Sequence, residues 1–138
     1  MNNTIKYNGV QITLTPEQLA HIECETKNNR YKHYSDIKSF ENACEKLGMS
    51  PSSIPEYPYE KLKVIVIALN DGWIPNWGDS SEGKYFNYFR MQGGLSYCST
   101  YCYSTHTDVP SALCFKSREI AEYAAKQFIE LYKDYYTN

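Results

Sequence analysis

The sequence lacks any marked excess of charge. Its 14 Lys and Arg against 16 Asp and Glu leave a formal charge of -2. A nucleic-acid binder usually carries a basic surplus, and a DNA mimic would need a far larger acidic one. It also lacks a long apolar run. The longest, Val64 to Leu69, is far short of the roughly 20 residues that span a bilayer. The first residues, MNNTIKYNGVQITL, hold no apolar h-region, so a secretory signal is not expected and the chain is read as cytoplasmic. There is no C-x2-C pair. The five cysteines are an odd number scattered at 24, 44, 98, 102 and 114, and in a reducing compartment they are expected as free thiols acting as small hydrophobes. Glycines at 72, 78, 83, 93 and 94 fit turn chemistry and form no phosphate-binding pattern. No repeats or low-complexity tracts occur. Neither a membrane segment nor a cofactor is expected.

What is present points to one globular domain. The chain has 138 residues, 42% hydrophobic and 22% charged, enough to bury a core. Aromatic residues make up 15%, and 14 of them are tyrosine. Tyrosine covers apolar surface with its ring while its tip stays polar, so much of this content suits half-buried positions.

Thr4 to Leu14 alternates weakly around Asn8-Gly9, which predicts a small hairpin or one bent strand. Thr15-Pro16-Glu17-Gln18 is a helix start with a reciprocal capping position, leading a helix that buries Leu19, Ile22 and Ala20 and fades at residues 27–29. A second helix is predicted from Ser35 or Asp36, with Ile37, Phe40, Ala43, Cys44 and Leu47 on one face and Gly48 as its left-handed end. Residues 51–58 form a Pro-rich connection between the helical part, 1–50, and the rest, 59–138. A central apolar helix follows from Tyr59 to Asn70, closed by Gly72. Strand-like runs cover Lys84 to Met91, Leu95 to Thr107 and Ala112 to Phe115, with a turn at Gln92-Gly93-Gly94. Ser117 caps a last helix with Ile120, Ala124, Phe128, Leu131 and Tyr135 as its buried stripe and Tyr123 and Tyr132 bordering it. The expected fold is α+β: N-terminal helices, a central apolar helix, a three-stranded antiparallel meander, and a C-terminal helix packed on the sheet.

ALNDGWIPNW, KYFNYF and LCFKSREIAEYAAKQFIELYKDYY, with SFENACEKLGMSP more weakly, cover about half of the chain. On these runs the sequence resembles a family of small proteins, of unassigned activity, from gut Bacteroidales and their phages and prophages. In those relatives the aromatic run more often contains a proline and a tryptophan, where Asn87 and Tyr88 stand here. The resemblance implies a bacterial or phage cytosolic setting and no particular activity.

Several constellations invite a chemical reading. Trp73 and Trp77 could clamp a sugar, a base or a proline-rich peptide. They more simply cap the core where the central helix ends, with Pro75 setting the turn and any function falling to the rim at Asn76 and Asp79. Cys98, Cys102 and His106 are spaced by four. On one strand each step is roughly 13 Å, too far for ligands that must lie about 2.0–2.3 Å from a zinc ion, so no metal site is expected. Cys98 or Cys114 with His106 and Asp108 would need an orienting group and an oxyanion site. Asp71, Asp79 and Glu82 beside the tryptophans are the outline of a glycosidase cleft, yet polar loops are rich in acids anyway. Lys84, Arg90, Lys116 and Arg118 around a tyrosine-rich sheet could stack single-stranded bases. The same surface suits protein contact better, because tyrosine is favoured at interfaces.

The expectation is a non-catalytic interaction module, with an unknown protein partner or self-association. Its binding residues would be Trp73, Asn76, Trp77, Asp79, Tyr85, Tyr88, Tyr97, Tyr101 and Tyr103. The alternatives are a small hydrolase with a Trp/carboxylate cleft and a single-stranded nucleic-acid binder.

Overall fold

A computed structural model describes residues 4–7, 9–13, 15–18 and 30–138. The first strands form a hairpin rather than one bent strand. Strand β1 (Thr4–Tyr7) runs antiparallel to β2 (Val10–Thr13), with Tyr7 opposite Val10 and Gly9 at φ +77°, a conformation open to glycine at no steric cost. The capping box after it is formed. Gln18 N donates to Thr15 Oγ1 at 3.2 Å and Thr15 N to Gln18 Oε1 at 3.0 Å. Residues 16–18 are helical; the expected burial of Leu19, Ala20 and Ile22 lies outside the described residues.

Helix α1 (Phe40–Leu47) starts later than expected. His33 and Asp36 cap each other across a separate 3-10 turn at Tyr34–Asp36, and Ile37 is extended. The chain then restarts at Ser39, whose Oγ accepts from Asn42 N at 3.1 Å. Gly48 ends α1 at φ +69°, as its position predicts. Helix α2 (Pro58–Leu69) buries Leu62, Val64, Ile65, Val66, Ala68 and Leu69 and is the element around which the core gathers. Helix α1 packs against it, and so do the closing helices α3 (Arg118–Gln127) and α4 (Ile129–Thr137). The exit from α2 is tied by Gly72 N to Ile67 O at 3.1 Å. Asp71 joins Gly72 in the left-handed region at φ +53°. The Lys46 ammonium holds this corner, 2.9 Å from the Asp71 carboxylate and 2.8 Å from Ala68 O.

The fold is α+β, but the three-stranded meander needs correction. Strands β3 (Lys84–Arg90) and β4 (Ser96–Tyr103) form an antiparallel pair, turned at Gly93-Gly94 and bulged at Tyr88/Phe89. The expected third strand is a single bridge, Tyr85 to Phe115, with Phe115 N donating to Tyr85 O at 2.7 Å and Tyr85 N to Phe115 O at 2.9 Å. That bridge lies on β3, not on β4, so β3 is the middle element where a meander would place β4. The cause is local. Pro110 starts a 3-10 turn at Ser111–Leu113, and bonds from Leu113 N to Pro110 O and from Cys114 N to Ser111 O curl the chain before it can extend.

The last helix is also not continuous. At Phe128 (φ -112°, ψ 28°) the chain bends between α3 and α4. The bend changes the buried stripe: Phe128 and Tyr132 are buried, while Leu131 and Tyr135 are half-buried. Tyr132 reaches the sheet, its ring 4.8 Å from that of Phe89.

Candidate interaction surface

Alternation along β3 divides the sheet into two faces. The inner face meets α3. Here Asn87 is only 4% exposed; its Nδ2 donates to Ala121 O at 2.8 Å and its Oδ1 accepts from the Thr100 hydroxyl at 2.9 Å. Thr100 also shares a 2.8 Å bond with the Tyr97 hydroxyl. Arg118 donates to Thr100 O at 2.7 Å and lies 5.7 Å over the Tyr85 ring, while Lys126 lies 5.8 Å over Tyr97. Tyr85 and Tyr97 therefore belong to the helix-packed side.

The outer face carries Tyr88, Tyr101 and Tyr103, exposed by 45%, 41% and 38%. Phe86 lies fully buried among them, with ring centroids 6.1 Å from Tyr101 and 5.8 Å from Tyr103. Tyr88 meets Tyr101 edge-on at 5.1 Å, and His106 stacks 4.0 Å from Tyr103. The structure thus brings together three of the five tyrosines expected on a common surface and turns two inward.

At the end of this row Lys84 faces Tyr103 in register. It is 0% exposed. Its ammonium donates to Asp79 O at 2.9 Å and Ser104 O at 3.0 Å, lies 3.5 Å from the Glu82 carboxylate, and sits 5.2 Å from the centre of the Trp77 ring. A buried ammonium is tolerated only when its donors are met in this way. Lys84 thereby anchors the 76–84 loop beside the tyrosine row. Within the loop, Asn76 N donates to Glu82 Oε1 at 2.8 Å, and Asn76 Oδ1 accepts from Gly78 N at 3.0 Å. The Asp79 carboxylate accepts from the Ser81 hydroxyl at 2.6 Å and the Ser81 amide at 2.9 Å, bonds that hold it below the usual carboxylate range.

The two tryptophans do not seal the core as a pair. Both are half-buried. The Trp77 indole donates to Ser111 Oγ at 2.8 Å. Trp73 lines an apolar groove of about 320 Å³ with Val66, Ile67, Pro75, Ala112 and Ile74, the last 76% exposed. Helix α2 is thus less evenly buried than its composition suggests, since Ile67 opens onto this groove.

The other constellations are dispersed. Asp71 pairs with Lys46 at the exit from α2, while Asp79 bonds Ser81 and Glu82 bonds Asn76 and Lys84 within the 76–84 loop, so each carboxylate is engaged by its own structural partners. The bond from Lys46 holds the Asp71 carboxyl below its ordinary range. Cys114 is buried, its thiol pushed up by desolvation and bonded to Thr107 Oγ1 at 3.5 Å. His106 meets Tyr103 and Thr105. Among the described residues no three His, Cys, Asp or Glu side chains converge, and no helix is long and apolar enough to cross a membrane.

Sequence reasoning put Lys84 on the basic edge of the sheet, where the structure buries it, and gave no structural role to Asn87 or Asn70. Asn87 carried a signal: a lone amide in a run of aromatics, two residues from Tyr85 and Phe89 and so on their face. Lys84 shares the parity of Phe86. Asn70 gave no local sign. It is buried, donating to Cys114 O at 3.0 Å and accepting from Lys116 N at 3.1 Å.

No family model matches the chain, and no curated protein or solved structure matches it significantly.

Proposed function

We propose that this chain is a non-catalytic binding module of a bacterial or phage cytoplasm, and that it engages a protein partner or a second copy through the outer face of the β3–β4 sheet. One observation carries the reading: Tyr88, Tyr101 and Tyr103 lie side by side and exposed on a sheet whose opposite face is packed on α3. Rigid, amphipathic rings of this kind supply contact area at low conformational cost. The engagement of Asp71, Asp79 and Glu82 with separate partners weighs against the hydrolase alternative. The lack of a basic surplus weighs against nucleic acid.

Replacing Tyr101 and Tyr103 together by lysine tests the proposal, because the lysine stems still shelter Phe86 while the aromatic surface is lost. The expected outcome is an unchanged circular-dichroism spectrum, with loss of the species that the wild type retains from a bacterial lysate or of its self-association in sedimentation. Identical capture and sedimentation by variant and wild type would sink it. Salt-sensitive binding of a single-stranded oligonucleotide, lost in the variant, would move the assignment to nucleic acid.

A further inference from the structure

Among the described residues, the edge of β3 that faces away from β4 is closed at one residue only. Tyr85 exchanges both main-chain bonds with Phe115. In an antiparallel ladder, residues two apart direct their N–H and C=O to the same edge, so Asn87 and Phe89 offer theirs on the side that Tyr85 uses. There the chain from Ser111 to Leu113 has curled away, and among the described residues none bonds to those groups. Asn87 keeps only 4% exposure yet still lines a groove, and main-chain groups so withdrawn from water are almost always paired. Along this edge runs a groove of about 380 Å³. Asn87, Tyr88 and Phe89 line it from β3, together with Met91, Asp108, Val109 and Tyr136.

We infer that this groove receives one extended peptide segment, which adds to β3 as an antiparallel strand and continues the ladder begun by Phe115. Main-chain bonds to Asn87 and Phe89 supply the registration, as in strand-addition recognition generally. Past the Phe115 bridge only Asn87 and Phe89 face this edge before β3 ends at Arg90, a length that suits a short segment rather than the edge of a second sheet. Side chains of the incoming strand alternate. One apolar residue fits the surface of Met91, Val109 and Tyr136, and a basic residue complements the Asp108 carboxylate. This deepens the binding-module reading by giving the partner's form; it uses the sheet edge and shares only Tyr88 with the tyrosine face.

The test pans a library of random short peptides against the full chain and resynthesises the enriched ones with single N-methyl amides. The expected sequences carry an apolar residue and a Lys or Arg. N-methylation should weaken binding at least about tenfold at alternate positions and little at those between. Val109→Arg should abolish binding, Asp108→Lys should erase the preference for basic residues, and the amides of Asn87 and Phe89 should exchange more slowly in the complex. No enrichment, equal binding to Val109→Arg, or N-methyl effects without alternation would overturn the inference. Tyr101→Lys with Tyr103→Lys separates the two readings: peptide binding that survives it supports the groove irrespective of the tyrosine face.

Discussion

Lys84 places its ammonium 5.2 Å from the centre of the Trp77 ring while its own side chain is wholly withdrawn from solvent. Its oxygen partners are carbonyls of Asp79 and Ser104 and the carboxylate of Glu82. Lys84→Met keeps the stem and deletes the charge, leaving those oxygens unmatched. The expected cost is about 3 kcal/mol in urea unfolding, with a red shift of tryptophan emission as the loop loosens. An unchanged midpoint would show that the ammonium does not hold the loop.

Asn87→Ala strips a partner from Thr100 and from Ala121 O at once. Each is buried against α3, so the loss should be about 2–3 kcal/mol. Tyr88→Ser, one residue along on the exposed face, should cost less than about 1 kcal/mol. Denaturant midpoints of the two variants check the contrast; equal losses would mean that the outer face is as structural as the inner.

The difference between those neighbours shows how far the sequence could be read. Helix α2, the start and end signals at Thr15, Gly48 and Ser117, and the β3–β4 hairpin follow from local patterns, because periodicity and capping act within a few residues. The third strand was misread because Ala112 to Phe115 has strand-like composition, while the Pro110 turn that curls it is settled by hydrogen bonds between its own backbone groups. Of the tyrosines, period-two alternation separates Tyr85 from Tyr88, but a bulge at Tyr88/Phe89 resets the parity between Tyr97 and Tyr101 relative to β3, and no residue announces it. The partners of Lys84 come from both sides of a hairpin, which local pattern cannot supply.

Gly83 leaves no room for a side chain while Cys102 stands opposite: a Cβ there would lie 2.8 Å from the sulfur. Gly83→Ala alone should destabilise by about 1 kcal/mol. In a Cys102→Ala background the same change should become neutral or stabilising by up to about 1 kcal/mol, through reduced freedom of the unfolded chain. A thermal double-mutant cycle measures the coupling; additive effects would refute the steric account.

Burial raises the Tyr136 hydroxyl to about 12 and that of Tyr132 further still, from an ordinary value of 10.0. In the unfolded chain both ionise near pH 10, while in the native state they stay protonated. The stability they contribute is complete below pH 10 and is lost as pH rises through the folded-state values. Unfolding free energy should therefore decline from pH 10 towards pH 12, and Tyr136→Phe should flatten that decline. A profile unaltered by the substitution would assign the loss to other groups.

Asn70, at the end of α2, bonds to residues 44 and 46 positions further along the chain, and the whole β3–β4 hairpin lies within that span. The order of assembly follows. Closing so long a loop is entropically slow, whereas the hairpin needs only its own glycine turn and shortens the loop once formed. The Asn70 clasp should then be made after the rate-limiting step of folding. Removing it with Asn70→Ala should accelerate unfolding and leave the refolding rate nearly untouched.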